Sequence, residues 1–60
     1  MPVRLKIEQF LRHTRMSPTR FGREVARDPR LVYDMRNGRE LGPRMVARIE
    51  AFLSTQEPGR

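Results

Sequence analysis

Met16 to Arg39 reads MSPTRFGREVARDPRLVYDMRNGR, and its punctuation is that of two short helices joined by a tight turn. Ser17-Pro18 predicts an N-cap followed by proline at the first helical position, where the missing N–H costs nothing. Asp28-Pro29 repeats the signal eleven residues later, and Asn37-Gly38 supplies a C-terminal stop. Phe21, Gly22 and Val25 fall on one face of the first helix, Val32 and Met35 on one face of the second. Val25-Ala26-Arg27-Asp28 leaves room only for a sharp turn. Two helices so joined, with a basic outer surface, form a helix-turn-helix.

Composition bounds what surrounds this unit. Sixty residues allow one domain, near the lower size limit for folding without a staple. Cysteine is absent, which excludes disulfides and thiolate metal sites and is consistent with a reducing cytosol. Apolar runs are too short for a signal peptide or a membrane span. The net charge of +6 and pI near 11.5 favour a polyanionic partner. Of the thirteen basic residues only Lys6 is a lysine. Arginine forks suit phosphates and guanine edges, and a GC-rich genome produces the same bias.

Outward from the central unit, Val3, Ile7, Phe10 and Leu11 recur at helical spacing and predict a first helix over 3–13. Its opposite face carries Arg4, Lys6, Glu8, Gln9 and Arg12, with Leu5 an apolar exception. The second and third helices are expected at 18–25 and 29–36. Gly22 inside a helix is unfavourable by ~1 kcal/mol relative to alanine, and close approach of the third helix supplies a reason for it. Pro43 opens a fourth helix over 43–54, whose stripe is Met45, Val46, Ile49, Phe52 and Leu53. The expectation is an all-α, compact four-helix domain over 1–54 with a flexible tail at 55–60. Its core comprises Val3, Ile7, Phe10, Leu11, Phe21, Val25, Val32, Met35, Leu41, Val46, Ile49 and Leu53. Leu31 fits either this core or an outer surface. Met16, Met35 and Met45 are core fillers. A domain this small is expected to be marginal alone and to gain from a partner.

The phased pattern resembles the small lambda-repressor-like (Cro/CI-type, xenobiotic-response-element family) helix-turn-helix regulators, over about Ile7 to Leu53. The residues that carry the resemblance are the polar cap, Phe21-Gly22, Val25-Ala26, Val32, Met35 and Asn37-Gly38-Arg39. Ala26 stands where a turn glycine is usual, which asks for an altered turn, and Arg27 occupies a position often apolar. Four helices are present where many relatives have a fifth that dimerises.

The resemblance implies that the third helix enters the major groove of double-stranded DNA, N-terminal half against the bases. Base reading then falls to Arg30, Tyr33, Asp34, Pro29 and Asn37. Arg30 can take O6 and N7 of one guanine, Tyr33 a thymine methyl or a phosphate, and Asp34 a cytosine amino group. Arg30 and Asp34 also have the spacing of a surface i,i+4 pair. Asp28 serves as a helix cap. Phosphates fall to Ser17, Thr19 and Arg20 at the start of the second helix, and to Arg23, Arg27, Arg36, Arg39 and Arg44. One recognition helix reads too few base pairs to single out a genomic site, so a homodimer, assembled on DNA, is expected. Met45, Phe52 and Leu5 are its candidate interface.

Nothing here supports catalysis or a cofactor. The single histidine, His13, is a surface residue near a helix C-terminus, and no metal set or nucleophile–base pair can be assembled. No small-molecule ligand or membrane contact is expected. The functional expectation is a sequence-specific transcriptional regulator of bacterial or phage type, cytoplasmic and nucleoid-associated. The alternative is the same scaffold used for protein–protein interaction, as in an antitoxin or adaptor.

Overall fold

The computed structural model describes residues 2–56 and is all-helical over them. The elements are α1 (Val3–Thr14), α2 (Pro18–Ala26), α3 (Leu31–Arg36) and α4 (Pro43–Thr55). α2 and α3 pack most closely on each other, and α4 lies against both α1 and α2. No helix among these residues is long and apolar enough to cross a membrane. α4 extends to Thr55, one residue into the expected tail; the remainder of that tail, 57–60, lies outside the described residues.

Each boundary has a local cause. The Ser17 hydroxyl accepts from the Arg20 N–H at 3.1 Å, and Pro18 follows it as the first helical residue. α1 ends on Arg15 in the left-handed region (φ 62°), its N–H returning to the Leu11 carbonyl at 2.8 Å. α2 ends the same way on Arg27 (φ 55°). Ala26 therefore stays helical, and the sharp bend expected around it falls one residue later.

The third helix starts later than its proline suggested. The Leu31 N–H donates to the Asp28 carbonyl at 3.1 Å, closing a β-turn over 28–31. Pro29 sits at the second position of this turn, and Arg30 at the third with φ −100° and ψ 5°. Asp28 Oδ1 accepts from the Arg30 N–H at 3.1 Å. Asp28 thus caps the turn, and Pro29 presets its bend instead of opening the helix. At the far end, Gly38 (φ 102°) donates to Met35 O at 3.1 Å, while the Arg39 N–H donates to Asp34 O at 2.9 Å. This paired reverse bonding is a Schellman stop, and only glycine takes its left-handed residue without strain.

The core is Ile7 and Leu11 from α1, Phe21 and Val25 from α2, Leu31, Val32 and Met35 from α3, and Ile49 from α4. Leu31 is fully buried (0% exposed), which settles the position that periodicity left open. Phe10, Phe21 and Phe52 form an aromatic triangle joining α1, α2 and α4, with centroids 5.6–6.0 Å apart. Val3, Leu41, Met45 and Leu53 close the margins.

Gly22 is explained by the turn more than by the third helix. A Cβ there would drive into the Asp28 backbone carbonyl, with Leu31 Cβ also only 3.1 Å away. Backbone cannot swing aside as a side-chain tip does. Gly22→Ala is therefore expected to lose about 1–3 kcal/mol through overpacking, despite alanine's better helix propensity. A thermal melt equal to or above the parent's would show that α2 and the turn are not in this contact.

Candidate nucleic-acid interface

Burial of Leu31, Val32 and Met35 points the other side of α3 to solvent. Arg30, Tyr33 and Asn37 succeed one another along that outer side, one turn apart. Tyr33 is 44% exposed, one of two exposed large hydrophobics among the described residues, and the Arg30 side chain is 78% exposed. Pro29 is exposed beside them, and Asp34 is half-buried. On α2 and its end, Arg20, Arg23 and Arg27 form a parallel exposed line. Ser17 is exposed and Thr19 half-buried at the α2 N-terminus, and Arg44 is exposed at the start of α4.

The expected phosphate contacts separate by their existing partners. Arg20 Nε meets Glu24 Oε2 at 2.8 Å one turn along α2. Arg36 makes a two-pronged pair with Glu8, Nη2 to Oε1 at 2.7 Å and Nε to Oε2 at 2.8 Å, tying α3 to α1. Arg39 Nη1 is shared between Asp28 Oδ2 at 3.2 Å and Asp34 Oδ2 at 3.3 Å. Arg23, Arg27 and Arg44 make no such contact among the described residues. Asp34 also faces Arg30 Nε at 3.9 Å, the i,i+4 spacing seen in the sequence. Its carboxylate is therefore engaged by two arginines, which competes with accepting from a cytosine.

The ties to Glu8 and to the two aspartates have different visibility in sequence. Glu8 and Arg36 are 28 residues apart, and no periodicity links them. The Arg39–Asp34 contact did have a signal. A glycine stop folds the residue after it back over the last helical turn, so Asn37-Gly38-Arg39 places a cation near Asp34.

The described carboxylates are occupied with the protein's own cations, apart from Glu40. No group of three or more metal-ligating side chains occurs among the described residues. Of the three expected interface residues, Leu5 is exposed (48%), whereas Met45 is half-buried against the core and the Phe52 ring belongs to the aromatic triangle. The open groove between the C-terminal halves of α1 and α4, lined by Phe10, Arg12, His13, Arg15 and Leu53, contains no residue of α3. Comparison of the chain with protein-family models, curated proteins and solved structures finds no match.

The Arg36 hydrogen bond holds the Glu8 carboxyl below its ordinary value of 4.5, opposed in part by burial and helped by the charges of Arg36, Arg4 and Arg12. A depressed carboxylate stabilises the fold above its unfolded value, and that contribution is lost as pH falls through the folded one. Both side chains are a third or more exposed, 33% and 43%, so screening keeps the effect below ~1 kcal/mol. The melting gap between the parent and Glu8→Gln should be constant from neutral pH to about 4.5 and close below it. A gap that persists to pH 2 would disconnect it from Glu8 ionisation.

Proposed function

We propose that the chain is a sequence-specific double-stranded DNA-binding protein, a transcriptional regulator of bacterial or phage type, with α3 in the major groove. The observation that carries this is the exposure of Arg30, Tyr33 and Asn37 along α3 and its two ends, with Arg23 and Arg27 exposed on the α2 that packs against it. Exposed arginines together with an exposed ring and amide match a groove edged by phosphates and floored with hydrogen-bonding bases. The two arginine lines divide the work. Arg23 and Arg27, with Arg44, hold phosphates, while Arg30 reads a guanine.

Binding should weaken steeply with salt. Arg23→Ala should lower affinity for every duplex alike and flatten the log–log salt slope by about one unit. Arg30→Ala should instead remove ~1–3 kcal/mol on the preferred site and relax preference at one base pair. Site selection from random duplexes, followed by titrations across salt, checks both. Equal and sequence-blind losses from the two substitutions would leave α3 without a reading role.

The working form we propose is a homodimer on a two-fold site, because one short recognition helix covers too few base pairs for a genomic search. Of the apolar side chains considered for the contact, Leu5 is the one left exposed, so the free association should be weak and completed on DNA. Sedimentation with and without a selected duplex should give a monomer alone and two chains per duplex. One chain per duplex, on a site with no two-fold repeat, would overturn the dimer.

A further inference from the structure

Arg39 occupies the position after the glycine stop of α3, and its backbone N–H is fastened to the Asp34 carbonyl at 2.9 Å. The two aspartates that hold its side chain share a division of labour. Each gives its Oδ2 to Arg39, at 3.2 Å for Asp28 and 3.3 Å for Asp34. Each turns its Oδ1 toward Arg30, to the backbone N–H from Asp28 at 3.1 Å and to Nε from Asp34 at 3.9 Å. The aspartates are 32% exposed and Arg39 43%, against 78% for Arg30. A half-sheltered cation thus fixes two carboxylates; one of these accepts the main-chain N–H of Arg30, the exposed residue that precedes α3, and the other lies opposite its Nε at ion-pair distance. The Arg30 terminal nitrogens donate to none of the described residues, so both remain available for a bidentate contact.

We propose that Arg39 is a positioning residue for base recognition, acting through Asp28 and Asp34 to aim the Arg30 guanidinium, and does not itself grip phosphate. The proposal rests on the DNA-binding function given above. A phosphate oxygen approaching Arg39 would have to displace two carboxylates and would be repelled by both. Loss of Arg39 leaves those carboxylates with Arg30 as their nearest cation. Freed of Arg39, the carboxylates no longer hold one orientation, and the Arg30 guanidinium loses the fixed partner that aims it.

The test uses the full chain with Arg39→Gln, Asp34→Asn and the double variant, with Arg48→Gln as a one-charge control. The base pair in question is the one whose discrimination disappears in Arg30→Ala. Arg39→Gln and Asp34→Asn should each reduce preference at that pair by about tenfold, and the double variant should be no worse than the weaker single one. Affinity for an unrelated duplex should change no more than in Arg48→Gln. A sequence-blind loss with a salt slope flattened by about one unit would make Arg39 a phosphate contact and overturn the proposal. So would unchanged preference. If melts show Arg39→Gln unfolded, the isosteric Asp34→Asn carries the same comparison. A second readout needs no DNA: 15N relaxation of the Arg30 Nε in the free chain. It should be ordered in the parent and released in both single variants. Equal order throughout would overturn the positioning role, whereas failure of the parent to bind any duplex would overturn only the DNA-binding function.

Discussion

The backbone carbonyl of Asp28 lies where Gly22 would carry its Cβ, and the arrangement of the other elements follows from that contact. The same carbonyl accepts the Leu31 N–H at 3.1 Å, while the Asp28 N–H reaches back to the Gly22 carbonyl at 3.1 Å. The turn is therefore bonded to α2 on one side and to α3 on the other. Lying so close to α2, it delivers Leu31 directly into the core, and burial of Leu31 sets the rotation of α3. Arg30, Tyr33 and Asn37 face outward as a consequence. A missing methyl group on α2 decides which side chains α3 can offer to a partner.

Charge is divided as sharply as polarity. Glu8, Glu24, Asp28, Asp34 and Glu50 each meet a cation of the same chain, and two of the resulting ties cross between elements, Glu8–Arg36 and Lys6–Glu50. None of these half-exposed pairs is worth much alone. Their collective effect is to lower the field within the fold while leaving Arg23, Arg27 and Arg44, together with Arg4, Arg12, Arg15 and Arg48, without an ion-pair partner among the described residues. The excess positive charge of the chain is thereby carried by exposed side chains, which keep their hydration in the free protein.

The sequence was most legible where a signal is local. Ser17-Pro18, Asn37-Gly38 and Pro43 mark helix ends because each satisfies or omits a particular backbone group, and all three ends stand where expected. Apolar spacing likewise identified Ile7, Leu11, Phe21, Val25, Val32, Met35 and Ile49 as buried. Asp28-Pro29 predicts a third helix opening at 29, but the same dipeptide also starts a type I turn, as it does here, and the choice depends on space beside Gly22 that no local pattern encodes. Leu31 was ambiguous for the same reason. Pairings such as Glu8–Arg36 join helices distant in sequence and have no sequence period. For Arg36 and Arg39, chemistry and exposure were legible, but not the carboxylates opposite them.

With six residues, α3 is only about 9 Å long. Such a helix has few internal hydrogen bonds and is unstable by itself, so its order must be supplied from both ends. At the N-terminal end this is the Asp28 turn, and at the C-terminal end the glycine stop. Arg39 joins the two, since its one nitrogen touches an aspartate before the helix and another within it. Shortness then becomes compatible with selectivity. A short helix presents few side chains to a groove, and discrimination must come from how tightly those few are held. Base discrimination of ~1–3 kcal/mol per arginine requires a fork fixed in plane with one base. If α3 reads bases as proposed, the ion pairs around it, weak as contributors to stability, matter for the geometry they impose on Arg30.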